Sequence, residues 1–477
     1  MQITWGQVCI GSPIDMHYEN EVFFSMKILI AGDGKVGATL TRQLSREDYD
    51  LTLIDSNPRV LDASVEAYDV MAVCGNCAAM STLRSAGVEN ADLLIAATSA
   101  DEVNLLCCLT AHGMNPNIHT IARIRSPEYT EQIYSMRSTF ALSMTVNPEK
   151  QAATEIFRLL RYPGFLKRDT FARGRVEIVE LRVKEDSKLC GVMLKDLGSV
   201  IKARALICTV VRNGEAIIPG GNFVLQQDDR ILLTAPTAAL AILLYNLGIN
   251  TQKVEDVMLC GGGRISYYLA SILLKSGIHV RIVEKDHDRC LSLASQLPDA
   301  SIIHGDASNL DFLESEGLAE CDALVAATGL DELNIVISLF GASLNVPQII
   351  TKQGRVDNLH ILEKLPMGSI ICPKELCSST IVRYVRAMRN QTGAALSVHS
   401  IADGHAEALE FRVTEDTRCC GVPLKNLHLK KGVLIVSISR QGVTEIPNGE
   451  SFFLAGDSVV IVTAGSNIIY QINDIFE

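Results

Sequence analysis

The sequence has no excess of positive charge and no long uninterrupted apolar segment. Its 55 acidic and 43 basic side chains give a net charge of −12. This balance argues against a general surface for nucleic acid or for an anionic membrane. The longest apolar segment, residues 231–249, is interrupted by Thr234, Pro236, Thr237 and Asn246, so it is typical of a strand, a turn and a helix. Any contact with a membrane is therefore expected to go through a partner.

The sequence also lacks the spacings that tie cysteines to metal or disulfide chemistry. Its 14 cysteines lie mostly within apolar segments. Cys74 and Cys77 form a C-x-x-C pair, but no second pair of cysteines or histidines stands at zinc-ribbon spacing. We therefore predict reduced, mostly buried thiols, as in a cytosolic protein, and no metal site.

The first 25 residues show no periodicity. They contain Trp5, the sole tryptophan, and lack the basic start and the cleavage pattern of a signal peptide. Met26 directly precedes an apolar segment of strand length. We therefore interpret residues 1–25 as an extension, or as a start assigned upstream of the natural one.

Residues 27–37, KILIAGDGKVG, have the pattern of a strand that enters a glycine-rich turn and then a helix. In this G-x-G-x-x-G motif, Gly32 permits the tight turn, Gly34 lets the backbone approach a pyrophosphate, and Gly37 allows close packing of the helix. Asp55 ends the next apolar segment, 18 residues after Gly37, where a carboxylate accepts both hydroxyls of a ribose. We therefore predict a dinucleotide site that prefers the unphosphorylated ribose of NAD to the 2′-phosphate of NADP.

Apolar segments of strand length alternate with helical segments between residues 26 and 147. This order predicts a doubly wound parallel sheet, in which a ligand binds at the carboxyl ends of the strands. Asn76 follows the third segment and Thr98 the fourth, so both are expected beside the nucleoside. Polar turns without a ligand would leave the same pattern, and that alternative stays open.

Two further segments follow this first sheet. Residues 147–164 have proline near their start and Pro-Gly at their end, which predicts an amphipathic helix whose apolar face is either intrachain core or a subunit contact. Residues 177–235 show short alternating strands separated by turn signals. They predict a small β-rich domain with one or two helices.

The whole pattern is repeated after about 230 residues. The second copy has a similar glycine turn at residues 259–266, LCGGGRIS, and Glu284 in place of Asp55, and it repeats the AAT-x-x-DE-x-N motif that begins at residue 96. The β-rich segment recurs as well. Such a duplication, with two parts in each half, predicts four domains. Their predicted bounds are 26–147, 148–250, 251–372 and 373–477.

Together these motifs resemble the TrkA family of Trk potassium-uptake systems, which is built from RCK domains. The resemblance covers residues 26–477 and rests on the duplicated order, on the AAT-x-x-DE-x-N motif and on residues 121–129, IARIRSPEY. It implies an α/β fold with two Rossmann-like domains, each a doubly wound parallel sheet followed by a small α+β domain of the RCK C type.

The resemblance also implies a function. Members of this family are cytoplasmic regulatory subunits, peripheral on the inner face of the plasma membrane, that bind NAD(H) and in some cases ATP or ADP. They dock as a homo-oligomeric ring, which we take as a tetramer, on an integral membrane Trk potassium channel subunit and gate potassium flux. No role in binding nucleic acid is implied.

Carried over residue by residue, the resemblance assigns a ligand to two sets of positions. The cofactor-binding residues of the first half are Gly32, Asp33, Gly34, Lys35, Val36, Gly37, Asp55, Asn76, Cys77, Thr98 and Arg123. Those of the second half are Gly261, Gly263, Arg264, Ile265, Glu284, Asp306, Ala307 and Thr328. Arg123 is expected to bind a phosphate or a neighbouring chain, because its planar guanidinium bonds two oxygens. An ordinary surface ion pair of Arg123 stays an alternative.

The second half departs from the pattern at two further positions. Ser266 replaces the third glycine, and an alignment with constant spacing puts Gln353 in the place of Arg123. A serine costs close packing of the helix, and loss of the arginine removes a phosphate partner. We therefore expect the second site to be weaker, different in its ligand, or structural.

An enzyme needs a proton donor or a nucleophile beside its cofactor. His112 and His119 are the histidines of the first predicted sheet, and neither stands in a triad-like relation to an acid. We therefore predict a sensor and not an enzyme. An NAD-dependent oxidoreductase and the regulatory domain of a potassium-efflux system are the alternatives. The ligand of each site and the direction of regulation stay open.

Overall fold

The computed structural model describes residues 25–47, 49–161, 167–171, 176–185, 187–201, 204–247, 253–354, 365–389, 395–402, 405–464, 469 and 471–477. The interpretation of residues 1–25 concerns a segment that lies, except for its last residue, outside these ranges. The described residues form two parallel six-stranded sheets and two antiparallel five-stranded sheets.

The first parallel sheet, with its helices, is called the first lobe. Its strands are β1 (Met26–Ala31), β2 (Tyr49–Asp55), β3 (Met71–Cys74), β4 (Leu93–Ala96), β5 (His119–Arg123) and β6 (Met144–Val146). Its helices are α1 (Lys35–Leu44), α2 (Pro58–Ala67), α3 (Met80–Ser85), α4 (Asp101–Met114) and α5 (Pro127–Ser135). The strand order is β3-β2-β1-β4-β5-β6, so the chain adds strands first on one side of β1 and then on the other. This change of side leaves a crevice at the carboxyl ends of β1 and β4.

Helix α6 (Pro148–Arg161) then leads to the first small domain. Its strands are β7 (Lys167–Phe171), β8 (Val176–Arg182), β9 (Leu206–Arg212), β10 (Glu215–Ile217) and β11 (Arg230–Pro236), and its helices are α7 (Leu197–Ile201) and α8 (Thr237–Asn246). The antiparallel order is β10-β9-β11-β8-β7. Asn213 and Gly214 both have positive φ between β9 and β10, the backbone that a two-residue hairpin turn requires.

The second parallel sheet, called the second lobe with its helices, repeats the first. Its strands are β12 (Asp256–Cys260), β13 (His279–Glu284), β14 (Ser301–His304), β15 (Ala323–Ala326), β16 (Gln348–Lys352) and β17 (Ser369–Ile371). Its helices are α9 (Arg264–Lys275), α10 (His287–Gln296), α11 (Leu310–Ser315) and α12 (Asp331–Ser343). The order β14-β13-β12-β15-β16-β17 matches the first lobe strand by strand.

Helix α13 (Pro373–Arg389) leads to the second small domain. Its strands are β18 (Ala395–Ile401), β19 (Ala406–Arg412), β20 (Val433–Arg440), β21 (Val443–Glu445) and β22 (Ser458–Ala464), in the antiparallel order β18-β19-β22-β20-β21. One face of each small sheet is buried against the other, with Ile178 and Leu232 opposite Val436 and Val460 in one apolar core. The predicted fold class, two Rossmann-like domains each followed by a small α+β domain, is confirmed.

Helices α6 and α13 cross over, so that each packs on the opposite lobe. In α6, Ala152, Ile156 and Leu160 are buried in the core that contains α9 of the second lobe. In α13, Ile381 and Val385 are buried in the core that contains α1 of the first lobe. The apolar face of α6 is therefore intrachain core, which resolves the alternative that its sequence left open.

Ion pairs also hold α13 against the first lobe. Arg42 Nη2 on α1 donates to Glu375 Oε1 at 2.5 Å. Arg386 donates to Glu47 Oε1 at 2.5 Å and to Glu407 Oε1 at 3.1 Å, so one guanidinium joins the first lobe, α13 and the second small domain. Within the described ranges, no helix combines the length and the apolar character that a bilayer crossing requires.

Candidate nucleotide-binding sites

The glycine turn of the first lobe is shaped by close backbone contacts. Gly32 has φ +94°, and a Cβ there would lie 2.8 Å from the backbone of Thr98. A Cβ at Gly37 would lie 1.9 Å from the carbonyl oxygen of Gly32. Gly34, by contrast, is exposed, and a Cβ there would meet no atom within 4 Å. Gly32 and Gly37 therefore allow the turn to close, and Gly34 faces open space from which a ligand can approach the backbone.

Helix α1 starts at this turn with its first N–H groups uncapped by any side chain, since the N-cap residue is Gly34. Free N–H groups and the positive end of the helix dipole favour an anion here. The side chain of Lys35 is exposed, whereas that of Val36 is buried in the core. Val36 can therefore contribute to a site only through its backbone.

Asp55 stands at the end of β2, beside the glycine turn. Its Oδ2 accepts the backbone N–H of Asp33 at 2.8 Å, and its Oδ1 accepts that of Asn57 at 2.8 Å. Asp55 thus holds the turn in place, and because each carboxylate oxygen has two lone pairs, both oxygens keep acceptor capacity for a ribose.

The turn after β3 lies next to Asp55. The N–H of Gly75 donates to the carbonyl of Asp55 at 2.9 Å, and the side chain of Asn76 accepts the N–H of Ala78 at 3.0 Å. Asn76 is exposed, but the side chain of Cys77 is buried in the core beneath the turn. Asn76 is therefore placed to meet a ligand, whereas the thiol of Cys77 packs inside the domain.

Thr98 follows β4 and is held by Asn104, a residue of α4 that is fully buried. Asn104 Oδ1 accepts the backbone N–H of Thr98 at 2.8 Å and its hydroxyl at 2.7 Å, and Asn104 Nδ2 donates to the carbonyl of Arg123 at 2.8 Å. Asp101 likewise accepts the N–H of Arg125 at 2.7 Å. Neither Asp101 nor Asn104 was among the predicted site residues. Their repetition in the second half was the signal that could have identified them.

Arg123 ends β5 and turns its guanidinium toward the same crevice. Its Nη2 donates to the carbonyl of Thr98, while its Nε is buried and has no hydrogen-bond partner. Burial lowers the pKa of Arg123, and the neighbouring charge of Arg125 acts in the same direction. A half-buried cation with a buried, unused donor favours an anionic partner at this point.

The second lobe repeats the glycine turn. Gly261 has φ +103°, and a Cβ there would lie 2.9 Å from Thr328 Cα, while a Cβ at Gly263 would meet nothing within 4 Å. Arg264 is exposed and Ile265 is buried, as are their counterparts in the first lobe. The second turn therefore offers the same open backbone at its middle glycine.

At the end of its second strand, where the first lobe has Asp55, the second lobe makes the same hydrogen bonds. Glu284 Oε2 accepts the N–H of Gly262 at 2.6 Å, and its Oε1 accepts that of Asp286 at 2.8 Å. Asp306 is exposed in the turn after β14, and Ala307 is buried beneath it. Glu284 therefore takes over both contacts that Asp55 makes in the first lobe.

Ser266 does not cost the second lobe its packing in the way we expected. Its side chain is 1% exposed, and its hydroxyl donates to the carbonyl of Gly261. The same carbonyl, at Gly32, lies where a Cβ of Gly37 would clash. In the second lobe a hydrogen bond therefore closes the turn that a bare glycine closes in the first.

The expectation that Gln353 replaces Arg123 is wrong. Lys352 ends β16 as Arg123 ends β5, its carbonyl accepts Asn334 Nδ2 at 3.0 Å, and its Nζ donates to the carbonyl of Thr328 at 2.7 Å. Burial lowers the pKa of Lys352. Gln353 is 2% exposed and belongs to the next position. The second lobe therefore keeps a half-buried cation at its strand ends.

The sheet register explains this correction. In the first lobe Leu93 pairs with His119, and in the second Ala323 pairs with Gln348. The chain between the paired strands is thus one residue shorter in the second lobe, which shifts the alignment at β16. A constant spacing therefore misplaces the residues of β16 and Gln353, which follows it.

The two crevices lie close together. Tyr268, on α9 of the second lobe, donates to the carbonyl of Arg125 at 2.9 Å and accepts Asn147 Nδ2 at 3.1 Å. The charge of Lys35, in the first glycine turn, also lowers the pKa of Lys352. A charged group of one lobe therefore acts on a charged group of the other.

Comparison with known protein families agrees with this duplicated architecture. The TrkA-N domain matches residues 28–144 and 257–373, and the TrkA-C domain matches residues 178–244 and 408–474. The "Trk system potassium uptake protein TrkA homolog" of Archaeoglobus fulgidus is 32% identical over 94% of this chain and 100% of its own length. The chain belongs to the TrkA family. The Trk system potassium uptake protein TrkA of Halomonas elongata is also similar, 28% identical over 95% of this chain and 99% of its own.

Solved structures share the fold of this TrkA-family chain. The GsuK RCK domain matches with a TM-score of 0.61 at 17% identity and covers 93% of both chains. The GsuK channel bound to NAD matches with a TM-score of 0.60 at 18% identity, covering 93% of this chain and 78% of its own. At these identities the likeness establishes the RCK-type fold.

The relatives also bear on the choice between sensor and enzyme. The TrkA-family relatives are named for potassium uptake, which supports the prediction that this chain is not an enzyme. His119, one of the two histidines considered, lies at the amino end of β5, opposite the glycine turn, where it contacts Tyr384 and Ser143. In the part of the chain that the structure describes, no cluster of three potential metal ligands occurs.

Proposed function

We propose that this TrkA-family chain is the regulatory subunit of a Trk-type potassium uptake system, and that nucleotide binding at its lobes regulates potassium flux. The names of its relatives support the uptake system, and the duplicated glycine turns support the nucleotide. Arg123 gives the strongest support for a nucleotide, because its buried Nε has no hydrogen-bond partner and lies at the strand ends where a phosphate would lie.

The proposed ligand is NAD(H), with ADP or ATP as further candidates. Gly34 and the uncapped start of α1 would hold the phosphates, and Arg123 would neutralise them. Asp55 would accept the ribose hydroxyls and reject a 2′-phosphate. A bound nucleotide supplies negative charge to the crevice, and these residues bind and orient it.

Regulation would follow from a shift between two arrangements of the lobes. The buried Oε2 of Glu149, at the start of α6, has no hydrogen-bond partner, and its charge acts on both Arg123 and Lys352. Phosphates at these two cations change the charge balance around Glu149 and thereby the contact between the lobes. A ligand shifts this equilibrium only as far as it binds the two arrangements with different affinity.

We further propose that the chain assembles as a homo-oligomeric ring, a tetramer, on the inner face of the membrane, where it docks on an integral membrane Trk potassium channel subunit. Leu106 and Leu109 of α4 are 53% and 42% exposed, and Val336, the counterpart of Leu106 on α12, is 48% exposed. Apolar residues exposed at matching positions of both lobes favour contacts between copies of the chain.

A thermal-shift titration tests the nucleotide proposal. The purified chain is titrated with NADH, NAD, NADPH, ATP and ADP, because a ligand that binds the folded state raises the melting temperature by mass action. We expect NADH or an adenine nucleotide to raise it, and Asp55→Ala and Arg123→Gln to weaken the response. Asp50→Ala, at the exposed opposite end of β2, is the matched control.

Two outcomes would contradict the proposal. One is the absence of any shift, and the other is the largest shift with NADPH. If a nucleotide does bind, reconstitution with the membrane subunit then shows whether it changes potassium flux.

A further inference from the structure

The first glycine turn contains a buried carboxyl group at a position that the G-x-G-x-x-G motif leaves variable. Asp33, between Gly32 and Gly34, is 1% exposed. Its Oδ2 accepts the hydroxyl of Ser64 at 2.6 Å, while its Oδ1 is buried and has no hydrogen-bond partner. A buried carboxylate with one neutral partner is costly to keep ionised.

A second carboxylate lies beside it. The backbone N–H of Asp33 donates to Asp55 Oδ2 at 2.8 Å, so the two acids share one corner of the turn. Burial raises the pKa of Asp33 and the charge of Asp55 raises it further, whereas the hydroxyl of Ser64 lowers it. The other charged groups of the turn and of α2 are exposed, namely Lys35, Arg59, Asp62 and Glu66.

The second lobe has no such pair. Gly262 takes the place of Asp33, and Leu293, fully buried, takes the place of Ser64. A Cβ at Gly262 would lie 2.7 Å from Leu293 Cδ1 and 3.0 Å from Glu284 Oε2. The second turn therefore has room for neither the carboxyl group nor its proton.

We propose that nucleotide binding to the first lobe takes up a proton, held by the buried carboxyl group of Asp33 beside Asp55, so that the affinity of this lobe rises as the pH falls. The second lobe binds without this linkage. This inference rests on the proposed nucleotide-binding function and adds a proton as a second ligand of the same site.

The direction follows from electrostatics. Phosphates at the start of α1 bring negative charge to the turn that contains Asp33, and a second negative charge nearby favours the neutral form of a buried acid. By linkage, a ligand that promotes protonation binds more tightly where protons are available. The dependence is at most about tenfold in affinity per pH unit, the limit for one linked proton.

Titration calorimetry of the full chain tests this linkage. ADP and NADH are titrated from about pH 5 to about pH 8, each in two buffers of different ionisation enthalpy, so that the protons taken up per nucleotide are counted. We expect uptake of up to about one proton per nucleotide in the wild type and a marked loss of that uptake in Asp33→Asn.

Two further variants sharpen the test. Ser64→Ala removes the hydrogen bond that favours the ionised form, so the pH profile should move to higher pH without disappearing. Asp62→Asn removes an exposed carboxylate of the same helix and should leave uptake unchanged. Melting curves of each variant show whether it remains folded.

The outcomes separate this inference from the function on which it rests. Nucleotide binding with the same proton uptake in the wild type and in folded Asp33→Asn would overturn the inference alone. Absence of nucleotide binding at every pH would overturn the proposed function together with it.

Discussion

The two lobes have the same strand order and an acid at the end of the second strand, yet their glycine turns close in different ways. The first uses a bare Gly37 and places a buried Asp33 against Ser64. The second uses the hydroxyl of Ser266 and packs Leu293 against the turn. The strand ends differ less, because a half-buried cation is present in both.

This comparison separates the residues that support the fold of each repeat from the residues that lie where a ligand would bind. Asn104 and Asn334 make the same hydrogen bonds to the neighbouring strand ends, and Asp55 and Glu284 make the same contacts to the turns. The pairs whose chemical character changes most lie in or under the glycine turn, namely Asp33 with Gly262 and Ser64 with Leu293. The duplication has therefore kept the frame of the site and changed its electrostatics.

The shared frame should be equally important in both lobes. Asn104→Ala and Asn334→Ala each leave a partly buried backbone N–H and a carbonyl without their partner, which should destabilise the protein by about 2–4 kcal/mol. Thermal unfolding measures the effect, with the exposed Asn117→Ala as control. A large loss in one lobe only would break the comparison.

Exchanging the residues that close the turns should have a smaller and asymmetric effect. Gly37→Ser places an atom against the Gly32 carbonyl and should cost about 1–3 kcal/mol, together with the nucleotide response of the first lobe. Ser266→Gly loses one hydrogen bond and should cost about 0.5–1.5 kcal/mol. Equal costs in unfolding experiments would show that the two turns are interchangeable.

The two cations at the strand ends, Arg123 and Lys352, should differ in how much they contribute to nucleotide affinity. Arg123→Gln should weaken binding to the first lobe by about tenfold to hundredfold, as expected for a charged hydrogen bond. Lys352→Gln should weaken binding to the second lobe less, because an ammonium lacks the fork of a guanidinium. Calorimetric titration of both variants measures this, and Arg84→Gln, an exposed arginine of the first lobe, is the control.

The smallest effect concerns stability and pH in the absence of nucleotide. Because burial raises the pKa of Asp33 above its unfolded value, the folded state binds the extra proton, and the contribution of this group to stability is lost as the pH rises through the folded pKa. Asp33→Asn should therefore melt at a higher temperature than the wild type at neutral pH, by a few degrees. The difference should disappear below about pH 4. A difference of the same size at both pH values would contradict this.

Much of the fold and of the first site could be predicted from the residues. The alternation of apolar and helical segments is a local signal, and the glycine turn with Asp55 is a short motif with a defined geometry. The amide of Asn104 was missed because its role depends on strand ends that are distant in sequence. Lys352 was misassigned because the connection that is one residue shorter is a loop, and the sequence pattern does not show that a residue is missing there. Lys352 and Gln353 are adjacent polar residues, so the pattern alone does not decide which of them corresponds to Arg123.

The sequence by itself determined the order of strands and helices, the duplication, and the presence of an acid and open glycines at each turn, since all of these depend on neighbours in the chain. Only the tertiary structure decided that α6 and α13 exchange lobes, that Lys352 is the counterpart of Arg123, and that Asp33 is buried beside Asp55. Periodicity shows that a helix has an apolar face but not which surface covers it. The register of a sheet and the burial of a charge are likewise set by groups far apart in the chain.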